Sequence, residues 1–118
     1  MKGFNKIFVL LLAWLLSVPC LGQDKARRYD AMFLDAICQR EKGNNDAAFD
    51  LFRHCVELDS TRSEAWYFLS QYYAAMKDRD KALSYVKRAA ELSPDNATYL
   101  ETLAHTYINQ RAYAEAAE

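Results

Sequence analysis

Side chains of matching size recur along this chain at intervals of 34 residues. Trp66, Leu69, Ser70 and Tyr73 return as Leu100, Leu103, Ala104 and Tyr107. Ala48 returns as Ala82 and again as Ala116, Phe52 as Val86, Cys55 as Ala89, Glu57 as Glu91 and Leu58 as Leu92. Large apolar residues stand in for large ones and small for small. Such a period means a stack of similar units, none of which buries its own apolar face alone. The units read as helices. After Gly22 the only glycine is Gly43 and the only proline is Pro94, and no stretch alternates β-branched with polar residues as a strand would.

The middle unit, residues 63–96, carries the pattern in full: Trp66-x2-Leu69-Ser70-x2-Tyr73, then Ala82, Val86, Ala89 and a closing Pro94. Trp66, Leu69 and Tyr73 share one helical face. Ser70, Ala82 and Ala89 are small enough to let two helices approach closely. Lys77-Asp78-Arg79-Asp80 makes the turn between them, and Thr61-Arg62-Ser63-Glu64 reads as a capping box that starts the first helix. This unit resembles the tetratricopeptide repeat. It departs at Ser70, where the family favours Gly or Ala, and at Val86, where it favours an aromatic. The resemblance implies an all-α fold, helix-turn-helix repeats in a short right-handed solenoid, preceded here by a signal-peptide helix.

The first unit, residues 29–62, is atypical. Its second helix fits (Ala48, Phe52, Cys55, Leu58), but strict register puts Asp35 and Gln39 where Leu69 and Tyr73 belong. A shift by one residue, aligning Phe33, Ala36, Ile37 and Arg40, fits only partly better. An end repeat with one wet face is expected to depart in this way. The last unit, residues 97–118, reads as a truncated repeat whose second helix starts near Ala116, so the chain is expected to be a fragment of a longer protein.

Met1 to Gly22 has another character. Lys2 and Lys6 precede a run of 12 apolar or small residues, Ile7 to Val18, followed by Pro19-Cys20-Leu21-Gly22. A positive start, a short apolar run and small residues near a cut site describe a secretory signal peptide. The run is short for a membrane span, which needs about 20 residues. Cleavage after Gly22 is expected, with residues 23–28 as a linker. The alternatives are an uncleaved anchor through residues 7–18 and lipidation of Cys20, which Pro19 fits poorly. Periplasm or cell envelope is the expected location. Without residues 1–22 the chain keeps 96 residues with 13 Lys and Arg against 16 Asp and Glu. These are interleaved, with no basic stripe, so nucleic acid is not an expected partner. A membrane is expected only through the N-terminal segment.

Cys38 and Cys55 remain after the signal. Their expected positions along paired helices are too far apart for a disulfide, so both are expected to be buried free thiols. His54 and His105 lie in different units and cannot converge on a metal with enough other ligands. Phosphate loops, nucleophile elbows and zinc-protease motifs are absent from the sequence. No catalytic residue, cofactor or metal is expected, and Asn96-Ala97-Thr98 reads as a helix start, not as a glycan acceptor.

The resemblance implies a concave groove lined by the first helix of each unit. Its expected residues are Phe33, Ile37 and Arg40, then Tyr67, Gln71 and Ala74, then Glu101, His105 and Ile108. The Lys and Asn clamp by which some members grip chaperone C-termini is missing. The matching places are Phe33, Ile37, Phe68, Thr98 and Thr102. The expected function is a scaffold holding a peptide or protein segment, with no enzyme activity. The alternatives are a sensory input domain of a larger signalling protein and a structural part in outer-membrane or secretion-complex assembly.

Overall fold

The computed structural model describes the backbone of residues 2–117 and the side chains of residues 22–117. The described residues form five helices and no strand: α1 (Lys2–Glu41), α2 (Asn45–Leu58), α3 (Glu64–Ala75), α4 (Arg79–Leu92) and α5 (Ala97–Ala117). Each packs on the next in chain order, giving the hairpins α1–α2 and α3–α4 with α5 laid against α4. The side chains of the expected export signal, including Cys20, lie outside the described residues. Residues 23–28, expected as a linker, belong instead to α1. Gln-Asp-Lys-Ala-Arg-Arg contains strong helix formers and no breaker, so nothing in it stops the helix.

The two closing bonds of the hairpin turns repeat at a spacing of 34. In the first, the N–H of Gly43 donates to the Arg40 carbonyl (3.0 Å) and that of Asn44 to the Gln39 carbonyl (2.9 Å). In the second, the N–H of Lys77 donates to Ala74 (3.1 Å) and that of Asp78 to Tyr73 (2.9 Å). This pair of bonds is the Schellman closure, which puts its central residue in the left-handed region. Gly43 sits at φ 82° and Lys77 at φ 63°. The strict register therefore holds through the first unit, and the one-residue shift does not. Asp35 does take the place of Leu69. It is exposed, and no hairpin before α1 covers it among the described residues.

The helix starts differ from expectation at one place. Thr61 and Glu64 form no capping box. The Thr61 backbone and hydroxyl both donate to Asp59 Oδ1, which holds that carboxyl below the usual range. Ser63 caps no backbone N–H. Its buried hydroxyl instead accepts from Ser93 (2.8 Å) and donates to the Tyr99 hydroxyl (3.4 Å), tying the start of α3 to the end of α4 and the start of α5. Asn96 starts α5, accepting from the Tyr99 N–H at 3.1 Å.

The core is one cluster around Tyr29, Ala36, Ala48, Phe52, Cys55, Ala65 and Leu69, all without exposed surface, with a second around Ala89, Ala90 and Tyr99. Phe52 is its hub: its ring stacks on Phe68 (centroids 4.9 Å apart, planes at 4°) and meets Phe33 edge-on at 5.6 Å. Small residues at Ala36, Ala48, Ser70 and Ala82 are the close-approach points. Cys55 is among the buried residues, and burial pushes its thiol up to about 11. Cys38 is free as expected but exposed, not buried, because it lies on the face of α1 opposite Ala36.

Beyond Tyr107 the structure departs again from expectation. The register puts a turn at residues 110–112, opposite Met76–Asp78, yet α5 runs unbroken to Ala117. Ala116 is part of this helix, not of a second one. Gln110-Arg111-Ala112 are helix formers with no left-handed or capping residue among them, and Arg111 pairs with Glu115 across one turn at 3.2 Å.

Candidate functional site

The residues expected to line a groove fall into three groups. Arg40 and Gln71 face one cleft of about 460 Å³, completed by Asn45, Asp46, Phe49, Tyr72, Ala75 and Met76. It opens between the end of α1, the start of α2 and the end of α3. Its floor is aromatic and thioether, and its rim carries a guanidinium, a carboxylate and two amides. Met76 is 55% exposed there. The Arg40 guanidinium lies 5.1 Å from the centre of the Phe68 ring, which fixes the cation against the wall. Glu41 pairs with Arg40 at 4.0 Å in solvent, an exposed contact worth little. Half-burial raises the Tyr72 hydroxyl above its ordinary value, so it stays a neutral donor.

Tyr67 joins this cleft to the next helix. Its hydroxyl accepts from Gln71 Nε2 at 2.9 Å, and its ring lies 5.0 Å from that of Tyr99 on α5. Phe33 and Ile37 are half-buried supports: Phe33 packs on Tyr29, Phe52 and Phe68, so it offers a ligand an edge and not a face.

The second group is Glu101, His105 and Ile108 on α5. All three are exposed, and His105 Nε2 stands 4.0 Å from Glu101 Oε1. The third is Ala74 alone. It lines a separate crevice of about 170 Å³ with Lys77, Arg79, Thr106, Gln110 and Tyr113. There the Arg79 guanidinium sits 3.4 Å over the Tyr113 ring.

Sequence reasoning missed the part of the cleft built by α2. It assigned the groove to first helices only, whereas Asn45, Asp46 and Phe49 from the start of a second helix close one side. Met76, an apolar residue at the mouth of a charged turn, was the available signal. Another depression, of about 440 Å³, lies on the outer face of α4 between Trp66, Leu83 and a charged rim that includes Asp80, Lys87, Arg88 and Glu91. Its only large apolar walls are Trp66 and Leu83, and Trp66 is already spent on the Tyr85 ring (5.0 Å) and the Ser60 carbonyl (3.1 Å). Among the described residues no three His, Cys, Asp or Glu side chains gather as a metal site would require. No helix among them is long and apolar enough to cross a membrane.

Comparison with known proteins bears on the fold. Residues 63–96 match the family model of the tetratricopeptide repeat, the same residues that carry the full motif. Two solved structures are similar: "Crystal structure of MamA", at 19% identity and a TM-score of 0.64, and "Crystal structure of MamA protein", at 19% and 0.63. Each match covers 75% of this chain, and 52% and 49% of the other. The chain thus spans about half the length of the MamA chains it matches. At this identity the likeness speaks for the fold alone.

Proposed function

Because residues 63–96 are a tetratricopeptide repeat and the flanking helices stack on it in the same fold, we propose that this protein is a protein-interaction scaffold without catalytic activity of its own. Its groove holds a peptide or protein segment across α1, α3 and α5. One observation carries the reading: Arg40 of α1 and Gln71 of α3, successive first helices, meet around a cleft lined by Phe49, Tyr72 and an exposed methionine, and the Tyr67 hydroxyl accepts from Gln71 beside it. An aromatic and thioether floor takes an apolar side chain of the ligand. The amide and guanidinium rim takes its backbone or a carboxylate, and such mixed pockets are where binding energy concentrates. Export to the cell envelope, read from residues 1–22, is part of the proposal.

The test is affinity capture from envelope extract with the parent protein beside Gln71→Lys and His105→Ala. Both positions are exposed, so neither change disturbs the core. Loss of the same partner from both variants is the expected result. Partners retained by both would remove the groove from consideration. Mass spectrometry of the native protein tests export: a mature start at Gln23 is expected, and an intact Met1 would refute cleavage.

A further inference from the structure

The cleft between α1, α2 and α3 has a counterpart one unit on. Five residues lining the crevice between the α3–α4 turn and α5 stand 34 positions after residues lining that cleft. The place repeats and the chemistry does not. Asn45 gives way to Arg79, Tyr72 to Thr106, Ala75 to Asn109 and Met76 to Gln110. Polar side chains thus replace an aromatic and a thioether. Lys77, where the first turn has Gly43, adds a second cation beside Arg79.

Charge sets the two places apart. The first cleft holds Asp46 as well as Arg40, whereas no residue lining the crevice is acidic. Asp78 spends its carboxylate on the first turn of α4, accepting from the Lys81 N–H at 3.3 Å and facing the Lys81 ammonium at 3.9 Å. Asp80, the counterpart of Asp46, lines the depression on the outer face of α4 instead. The Arg79 guanidinium is held over the Tyr113 ring, and Gln110 Nε2 donates to the Arg79 carbonyl at 3.4 Å, which ties α5 to the start of α4. A guanidinium held in this way loses little freedom when it binds. At about 170 Å³ the crevice has room for one carboxylate-bearing side chain. We propose that it is an anion subsite of the groove, taking the Asp or Glu side chain of the same segment whose apolar side chain enters the first cleft. The proposal rests on the groove reading and adds what the segment must carry. Lys77 and Arg79 supply the charge, and the Asn109 and Gln110 amides the neutral donors.

The test selects ligands from a random peptide library on the full chain, with the parent beside a variant carrying Lys77→Glu and Arg79→Glu. Both positions are exposed, and a glutamate in the first turn of α4 favours its helix. Peptides selected by the parent are expected to share an apolar residue and an acidic one, and those selected by the variant to carry a basic residue in place of the acid. A parent-selected peptide should bind the variant about tenfold more weakly or worse. Its amide form, with Asn or Gln for the acid, should lose a similar factor against the parent and little against the variant. Both losses should shrink as salt is raised. Selected peptides without the acid, or an acid kept against the variant, would overturn the anion subsite and leave the groove reading standing. Failure of the parent to select any peptide would remove both. Calorimetry with inorganic phosphate alone separates the other source of the same chemistry. Saturable phosphate binding that the variant loses, together with selected peptides lacking an acid, would make the crevice a site for the free ion and overturn the proposal.

Discussion

The two hairpin turns make a matched experiment, because the same backbone is closed by glycine in one and lysine in the other. Gly43 and Lys77 occupy equivalent places 34 residues apart, with the same two closing bonds and both at positive φ. The left-handed conformation costs a residue with a Cβ about 1–2 kcal/mol. Glycine avoids that cost but loses about 0.5–1 kcal/mol more chain entropy on folding. The difference favours glycine by about 0.5–1 kcal/mol. A Cβ added at Gly43 meets no atom within 4 Å, so Gly43→Ala tests the backbone alone, free of any clash. Lys77→Gly is therefore expected to stabilise by about 0.5–1 kcal/mol, a melting-point gain of about 2–6 °C for a domain of this size. Gly43→Ala is expected to lose a similar amount, and the double variant to return to the parent value. Urea unfolding followed by far-UV circular dichroism measures all four proteins at constant slope. Two neutral single variants, or two of the same sign, would refute the Schellman reading of these turns.

Two further outcomes follow from the core. Phe52→Ala removes the hub shared by Phe33 and Phe68, so it should cost about 4 kcal/mol in the same assay, and Phe52→Leu much less. A loss under about 1 kcal/mol for the alanine would mean that the ring cluster does not hold α1–α3 together. Cys55 keeps its proton to about 11 in the fold against 9.0 when exposed. The stability from burying the neutral thiol is therefore complete below pH 9.0 and is lost as pH rises towards about 11. The urea midpoint of Cys55→Ala should fall less over that window than the parent's, and at neutral pH thiol reagents followed by peptide mapping should label Cys38 in the native state and Cys55 only after unfolding.

What the sequence disclosed was whatever the repeat constrains. Ala48, Phe52, Leu69, Ala82, Val86 and Ala89 were all readable as interior positions, because helix-on-helix contact demands a fixed size at a fixed spacing. The turns were less legible. Lys77 carries no mark of a left-handed residue, and only the first turn, closed by Gly43, declares the geometry they share. The capping box failed because its pattern is short and Ser63 has a stronger use, bridging Ser93 and Tyr99 from helices that sequence cannot bring together. Cys38 was misplaced for a similar reason. A cysteine in a helix reads as interior, and only the true register of α1 turns it outward.

The candidate binding surface is made of the positions the repeat leaves free. Along the three first helices, Phe33, Tyr67 and Glu101 are equivalent by register, as are Ile37, Gln71 and His105, and Arg40, Ala74 and Ile108. None of these triples keeps its chemistry from one unit to the next, whereas the inward pair Ala48 and Ala82 does not change at all. Size is conserved where helices meet, and chemistry varies where they do not. A segment laid across these helices would therefore meet a cation beside aromatic rings on α1, an amide and a phenol on α3, and a carboxylate beside an imidazole on α5. That sequence of groups is not symmetric, so a ligand has one favourable direction. Reversing it would set an acidic end against Glu101 and a basic end against Arg40, and like charges at an interface exclude a wrong partner more firmly than matched ones hold the right one.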